Sequence, residues 1–566
     1  MIGEVWLASG QSNMELPLRG WPPEDTVLNA SKYIAEADNN NIRMFTTAKT
    51  VSFTPQADAE GSWKVCNSET VKDFSATAYF FAKRIYEKTG IPIGIINSSW
   101  GGSPCEGWLS REFLKDVPGY DVRLADFDRS IPMQDKLNAW ILSHKKLCTC
   151  ADFETKYNCI NFDDEQCARI DFDDSRWDSI NLPCYYDIEK IGSYDGVIWF
   201  RKTLELPANF VGKNLKLALG PVEDVDFTFV NGKLIGKTDV DGKWSEKRLY
   251  DIPAELTKTS SLTIAVRLVD NGNGGGIYGQ KQLLKIFVQD NPSQSLSIAG
   301  KWRFLPTAEY IDGCFYAYDI ANREYYQRPQ MPVAKDLNAV TALYNAMIHP
   351  FVPYKLSGVI WYQGETNVSR AKEYGYLLPA LIKNWRSDFK NPELEFIYAQ
   401  IAPFEYGEGT NSQELRDEQL KCCKGKNIGM VCLSDIGKKN TAHPAYKFEC
   451  GNRLALWALN DLYNQPCETS GPMYQSYIIR GSEIELTFSH VGGGLVAKGG
   501  TLKDFEIAGN DSKFYPAQAE ISGDKVIVRS AEVKNPVKVR YGWHNWLDCV
   551  TLYNAEGLPA SCFITQ

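Results

Sequence analysis

The chain has 566 residues, 44% hydrophobic and 23% charged, the composition of a globular protein of about three or four domains and not of a disordered or fibrous one. Its 61 basic and 70 acidic side chains leave a net charge of −9, which argues against a broad nucleic-acid-binding face. No apolar run approaches the roughly 20 residues needed to span a bilayer, so no membrane span is expected. Met1 is followed almost at once by a strand-like run at residues 5–8, with no basic and apolar leader. The chain therefore reads as cytoplasmic, or as one that starts after a removed signal.

Taken in order, the first predicted elements are a strand at 5–8, a helix near 75–88 that stops at Gly90, and a strand at 91–96. Residues 112–166 have mixed patterning and read as a helical connection. From about 171 to 288 the texture changes to alternating runs such as Val197-Ile198-Trp199-Phe200, separated by turn signals such as Asn231-Gly232. That is the pattern of an inserted β-sandwich. The strand–helix alternation then resumes, with a helix at 339–348, a strand at 358–362, a helix at 370–385, strands at 396–401 and 428–433, and a helix at 446–462. After about Cys467 the chain is β again. The expected fold is α/β, a parallel sheet with helices on both faces, interrupted by the insert and followed by a C-terminal β domain. The expected bounds are 1–165 and 306–465 for the α/β domain, 166–305 for the insert and 466–566 for the last domain.

Fifteen cysteines leave at least one thiol unpaired, and Cys148, Cys150, Cys159 and Cys167 are close enough in sequence to form disulfides. No Cys-x-x-Cys or His-x-x-x-His spacing occurs, so a zinc site has little support; no metal and no cofactor is expected. There are five histidines, which makes the search for a general base short.

Four of the predicted strands end in residues with chemical potential. The first leads to Gly10-Gln11-Ser12-Asn13, a hydroxyl on a tight turn; a serine needs a base within hydrogen-bond reach to act as a nucleophile. The second leads to Trp100-Gly101-Gly102-Ser103, whose glycines expose backbone N–H groups. The third leads to Gln363-Gly364-Glu365-Thr366-Asn367, and the fourth to Asp435 and His443-Pro444. Strand ends of a parallel sheet converge on one crevice, so these are the parts of an acyl-transfer site: nucleophile, oxyanion donors and proton shuttle. Arg416 follows the strand that ends near Ala402. It either clamps a substrate carboxylate or makes a surface ion pair.

These blocks carry a family resemblance. Gly3-Glu4-Val5-Trp6-Leu7-Ala8-Ser9-Gly10-Gln11-Ser12-Asn13-Met14 and Gly358-Val359-Ile360-Trp361-Tyr362-Gln363-Gly364-Glu365-Thr366-Asn367 resemble blocks of the sialate O-acetylesterases, members of the SGNH hydrolase superfamily. Trp100-Gly101-Gly102-Ser103, His443-Pro444, Lys447 and Gly451-Asn452-Arg453 resemble two further blocks. The inserted run resembles the galactose-binding-like sandwich that this family carries. The resemblance implies that Ser12 is the nucleophile and His443 the base. It implies an oxyanion hole of the Ser12 N–H, Gly102 (or Gly101) and Asn367, with Gln11, Gln363 and Glu365 lining the site. It also implies an acetylated sialic acid or other acetylated glycan as substrate and a periplasmic or secreted location. One position departs from the superfamily pattern: Asn440 stands three residues before the histidine, where an aspartate is usual. The expected support for His443 is therefore Asp435 or a backbone carbonyl. Two other functions stay open, an acetylxylan-type esterase and a carbohydrate-binding protein with impaired catalysis.

Overall fold

The structure is a computed structural model that describes residues 3–147, 157, 160–186, 191, 194–240, 242–272, 274–311, 313–407 and 409–565. The chain divides into two compact units, one of Met1–Phe127 with Lys335–Gln566, the other of Asp128–Ala334.

The first unit is built on a seven-stranded sheet. Its strands are β1 (Glu4–Gly10), β2 (Asn39–Thr46), β3 (Trp63–Cys66), β4 (Ile93–Ser99), β5 (Gly358–Tyr362), β6 (Glu395–Ala399) and β7 (Ile428–Val431), in the order β7-β6-β5-β1-β4-β2-β3. Every neighbouring pair is parallel except β2 with the edge strand β3. β5 and β6 are buried at every residue, which requires cover on both faces of the sheet. The longer helices are α1 (Ala76–Thr89), α2 (Ala371–Asp388), α3 (Ser412–Cys422) and α4 (Lys447–Asp461). α1 packs against α4, and α2 against α3. The α1 boundaries are set locally: the Ser75 side chain accepts from the Ala78 N–H at the start, and Gly90 ends it in the left-handed conformation. The helix expected at 339–348 is instead a short turn that widens to π-helix over Tyr344–Ile348.

The same unit holds the C-terminal β region. Met473–Arg480, Glu483–Ser489, Gln518–Ser522 and Lys525–Arg529 form one antiparallel sheet, and Phe505–Ala508, Phe514–Pro516, Lys538–Tyr541 and Phe563–Ile564 another. Both contribute to one apolar core that includes Leu486, Val526, Ile507 and Phe563.

The second unit consists mainly of two antiparallel sheets, of eight and six strands, that share a core including Phe200, Leu217, Ile264, Ile286 and Trp302. It is wider than the expected 166–305. Strand Gly300–Ile311 continues into a hairpin with Cys314–Ala317, which pairs in turn with Lys145–Leu147. Hydrogen bonding thus draws both flanks into the insert, and a 22-residue helix, Asp121–Leu142, fills much of the span expected to be a helical connection. Cys148, Cys150 and Cys159 lie outside the described residues; Cys167 is buried and makes no disulfide.

Candidate active site

β1 delivers the serine. Gly10 is its last residue, at φ 132°, and a Cβ there would lie 2.1 Å from the Tyr362 carbonyl, so the chain can turn between β4 and β5 only without a side chain. Gln11 N donates to Tyr362 O at 2.9 Å, and a one-turn helix, Ser12–Glu15, follows. The Gln11 side chain braces the neighbouring block, since its Oε1 accepts from Gly364 N at 3.3 Å and Thr366 N at 3.2 Å.

Ser12 Oγ lies 2.8 Å from His443 Nε2. The other ring nitrogen, Nδ1, lies 2.8 Å from Asp25 Oδ2. Thr441 completes the arrangement: its hydroxyl donates to Asp25 Oδ1 at 2.6 Å and accepts from His443 N at 3.1 Å. Trp21 meets the His443 ring edge-on at 5.6 Å, and reciprocal backbone hydrogen bonds between Trp21 and Asp25 close the loop that carries the carboxylate. Burial pushes the Asp25 pKa up, but hydrogen bonds from Thr441 and His443 and the charges of His443 and Lys438 outweigh it and hold the carboxyl below its ordinary value. A carboxylate facing Nδ1 stabilises the tautomer with the proton on that nitrogen and leaves Nε2 free to accept the serine proton.

The expectation that Asp435 supports His443 is therefore corrected. Asp435 faces α4 and pairs bidentately with Arg453, at 2.7 and 2.8 Å. Asn440 is exposed, and the hydrogen bonds of His443 among the described residues go to Thr441, Asp25 and Ser12 instead. The carboxylate comes from the other side of Ser12, and Asp25 was not among the expected site residues. The one local cue in the sequence is the stiff Trp21-Pro22-Pro23 run before it.

The two glycines differ. Gly101 N donates to Glu15 Oε2 at 2.6 Å, and Glu15 Oε1 pairs with Lys49 at 2.6 Å. Gly102 sits at φ 77°, and its N–H, like that of Ser12, has no acceptor among the described residues. Of the two, Gly102 is thus the free donor beside the serine turn.

Asn367 is fully buried, and its amide orientation is fixed from both ends. Oδ1 accepts from Cys105 N at 2.9 Å and Gln363 Nε2 at 2.7 Å, while Nδ2 donates to Glu106 Oε2 at 2.9 Å. Glu106, another residue the sequence reading passed over, also holds Arg370 at 2.6 Å. Gln363 further donates to the Ser103 carbonyl at 3.2 Å, joining the second and third blocks. Glu365 Oε1 accepts from Asn13 Nδ2 at 2.5 Å. Arg416 is buried rather than ion-paired at the surface. Its Nη2 donates to the His544 carbonyl, and its Nε and Nη1 have no partner among the described residues. Among the described residues no hydrogen bond joins its side chain to Ser12 or His443.

An α/β unit with a serine–histidine–aspartate chain at the carboxyl edge of a parallel sheet has the arrangement of the triad-bearing hydrolases. Within that class the match is to a carbohydrate esterase: residues 331–459 fit the family described as carbohydrate esterase, sialic acid-specific acetylesterase. The resemblance of the sequence blocks to the sialate O-acetylesterases is borne out, the family match covering the third and last of them. Among curated proteins, the chain is 34% identical to a rat (Rattus norvegicus) sialate O-acetylesterase over 124 residues, 20% of this chain and 22% of the relative. It is 32% identical to the human (Homo sapiens) sialate O-acetylesterase over 129 residues, 20% and 23% of the two chains. The chain thus spans a little over a fifth of the length of these relatives. A crystal structure of a carbohydrate acetylesterase from Xanthomonas citri aligns with all of this chain and 81% of its own, with 24% identity and a TM-score of 0.58, a likeness of fold.

Proposed function

We propose that the protein is a serine esterase of SGNH type that removes O-acetyl groups from sugars, sialic acids foremost. The observation that carries this reading is the unbroken chain Ser12–His443–Asp25, with both links at 2.8 Å. His443 takes the Ser12 proton as Oγ attacks the acetyl carbonyl, and the Asp25 carboxylate stabilises the imidazolium that forms. The developing oxyanion is met by the N–H groups of Ser12 and Gly102 and by the Asn367 amide. Collapse of the tetrahedral species breaks the ester C–O bond, and His443 returns its proton to the departing sugar hydroxyl. Water, activated by the same imidazole, then releases acetate from the acyl-enzyme and regenerates Ser12.

The choice of an acetylated sugar rests on the match of residues 331–459 and on the sialate O-acetylesterases to which the chain is similar. The test is acetate release from O-acetylated sialic acids beside acetylated xylo-oligosaccharides, with wild-type and Ser12→Ala protein. Turnover of the sialic acids that depends on Ser12 is the expected result. A preference for the xylo-oligosaccharides would overturn the substrate assignment, and activity retained by Ser12→Ala would overturn the mechanism.

A further inference from the structure

Directly after the serine, Asn13 is buried, and its amide sits between two opposite charges. Oδ1 accepts from the Lys447 ammonium at 2.5 Å. Nδ2 donates to Glu365 Oε1 at 2.5 Å and to the Ala442 carbonyl at 2.9 Å. This is the one orientation that pairs every donor with an acceptor; a flipped amide would set its NH2 against an ammonium and its oxygen against a carboxylate. Ala442 immediately precedes His443, so the bond to its carbonyl ties the turn that carries Ser12 to the loop that carries the imidazole. The Asn13 backbone is held as well, since its carbonyl accepts from Thr77 Oγ1 at 3.1 Å.

Lys447 has no exposed surface, and its ammonium lies 5.4 Å from the centre of the Tyr362 ring. A fully buried cation is expensive, and one that only filled space would be replaced by an apolar side chain at no loss. The acidic groups that face it are Glu365, Asp25 and the Cys450 thiol, contributed by the third block, the Trp21–Asp25 loop and α4 itself. The ammonium bonds Asn13 and not the Ser12 hydroxyl or the imidazole.

We propose that Lys447 is a positioning residue: acting through the Asn13 amide, it sets the spacing between the nucleophile's turn and the histidine's loop. This assignment rests on the reading of Ser12 and His443 given above. It also has a pH signature. Burial holds the Lys447 pKa down to about 8, with Cys450, Glu365 and Asp25 pulling the other way, so the charge that orients Asn13 is lost above that value.

The experiment compares kcat and KM on a chromogenic acetate ester, from about pH 6 to about pH 10, for wild type, Ser12→Ala, Lys447→Met, Glu365→Gln and the double variant Lys447→Met/Glu365→Gln. Thermal melting confirms that each is folded. Lys447→Met is expected to lower kcat at least about tenfold with KM within about twofold, and to lack the alkaline decline near pH 8 expected of wild type. Should the uncompensated Glu365 carboxylate unfold that variant, the double variant is neutral at both ends of the amide. Its kcat is expected to stay about tenfold below that of Glu365→Gln alone. Equal kcat in those two proteins, or a wild-type pH profile in folded Lys447→Met, would overturn the proposal. Turnover by Ser12→Ala would instead sink the underlying mechanism, whereas an inactive Ser12→Ala beside unaffected Lys447 variants would sink the positioning role alone.

Discussion

Asp25 reaches His443 across 418 positions of sequence, its Oδ2 2.8 Å from the imidazole Nδ1. An amide in place of that carboxylate offers a donor as readily as an acceptor and stabilises the wrong tautomer. Asp25→Asn is therefore expected to lower kcat by about 10³–10⁴ with little change in KM. Asp435→Asn, which loosens the pairing with Arg453 and the contact with the Tyr553 hydroxyl, is expected to keep kcat within about twofold and to lower the melting temperature. Hydrolysis of a chromogenic acetate ester and a thermal melt decide between the two carboxylates; the reverse pattern would return Asp435 to the histidine.

Ser12→Ala removes the atom that forms the acyl-enzyme while leaving the one-turn helix and its backbone N–H in place. We expect a loss of at least about 10⁴ in kcat, no acetylated protein by mass spectrometry, and a melting temperature close to wild type. Residual turnover within tenfold of wild type would show that another nucleophile operates.

Gly102→Ala probes the loop beside the serine. At φ 77° a non-glycine residue is strained by about 1–2 kcal/mol, although a Cβ there would meet nothing within 4 Å. The strain is relieved by turning the peptide, which re-aims its N–H. The expected result is a kcat lower by about tenfold or more, KM nearly unchanged and the fold retained. A kcat equal to wild type would remove this N–H from the oxyanion site.

Glu395 offers a test of stability away from the chemistry. It opens β6 with 1% exposure, and neither carboxylate oxygen has a hydrogen-bond partner among the described residues. Burial, and then the charge of Asp461, raise its pKa from 4.5 to about 7, while Arg386 opposes them. A carboxyl whose folded pKa is raised contributes stability below its unfolded pKa that is lost as pH rises through the folded value. Glu395→Gln should therefore raise the melting temperature at about pH 8, by a margin worth up to about 3 kcal/mol, and the gain should vanish near pH 4.5. A gain that is the same at both pH values would mean that the charge of Glu395 is not the cause.

The parts of the site that sit at strand ends were legible in the sequence, because a buried parallel strand is a run of apolar residues and the fold delivers whatever follows it to one edge. Ser12, Gly102, Asn367 and His443 all follow such runs. Asp25 does not: it lies in a loop with no periodicity, its partner Thr441 is remote in sequence, and the Trp21-Pro22-Pro23 run before it marks a stiff turn but no chemistry. Glu106 escaped for a different reason, and Lys447, although matched in the last block, was given no role. Charged side chains are ordinarily on the surface, and burial by pairing with Arg370 or Asn13 shows only in three dimensions. β2 and β3 were missed because Asn39-Asn40-Asn41 and Trp63-Lys64 are polar or exposed at the sheet edge. The insert was recognised by its alternation, but its bounds were drawn too narrowly, since strand pairing at Lys145–Leu147 has no signature until its partner is known.

The interleaving of the two units bears on how the molecule is made. β1 finds its neighbour β5 only after the whole of Asp128–Ala334 has been synthesised, with Trp6 opposite Gly358 and Gly10 opposite Tyr362. The second unit is continuous in sequence and can close on the ribosome while β1 still waits with one edge unpaired. A nascent chain stalled before residue 358 thus carries the serine on an open, apolar strand edge, the kind of surface that recruits other chains. Chaperone demand during synthesis should fall once β5 emerges, and truncations on either side of that strand should differ sharply in solubility.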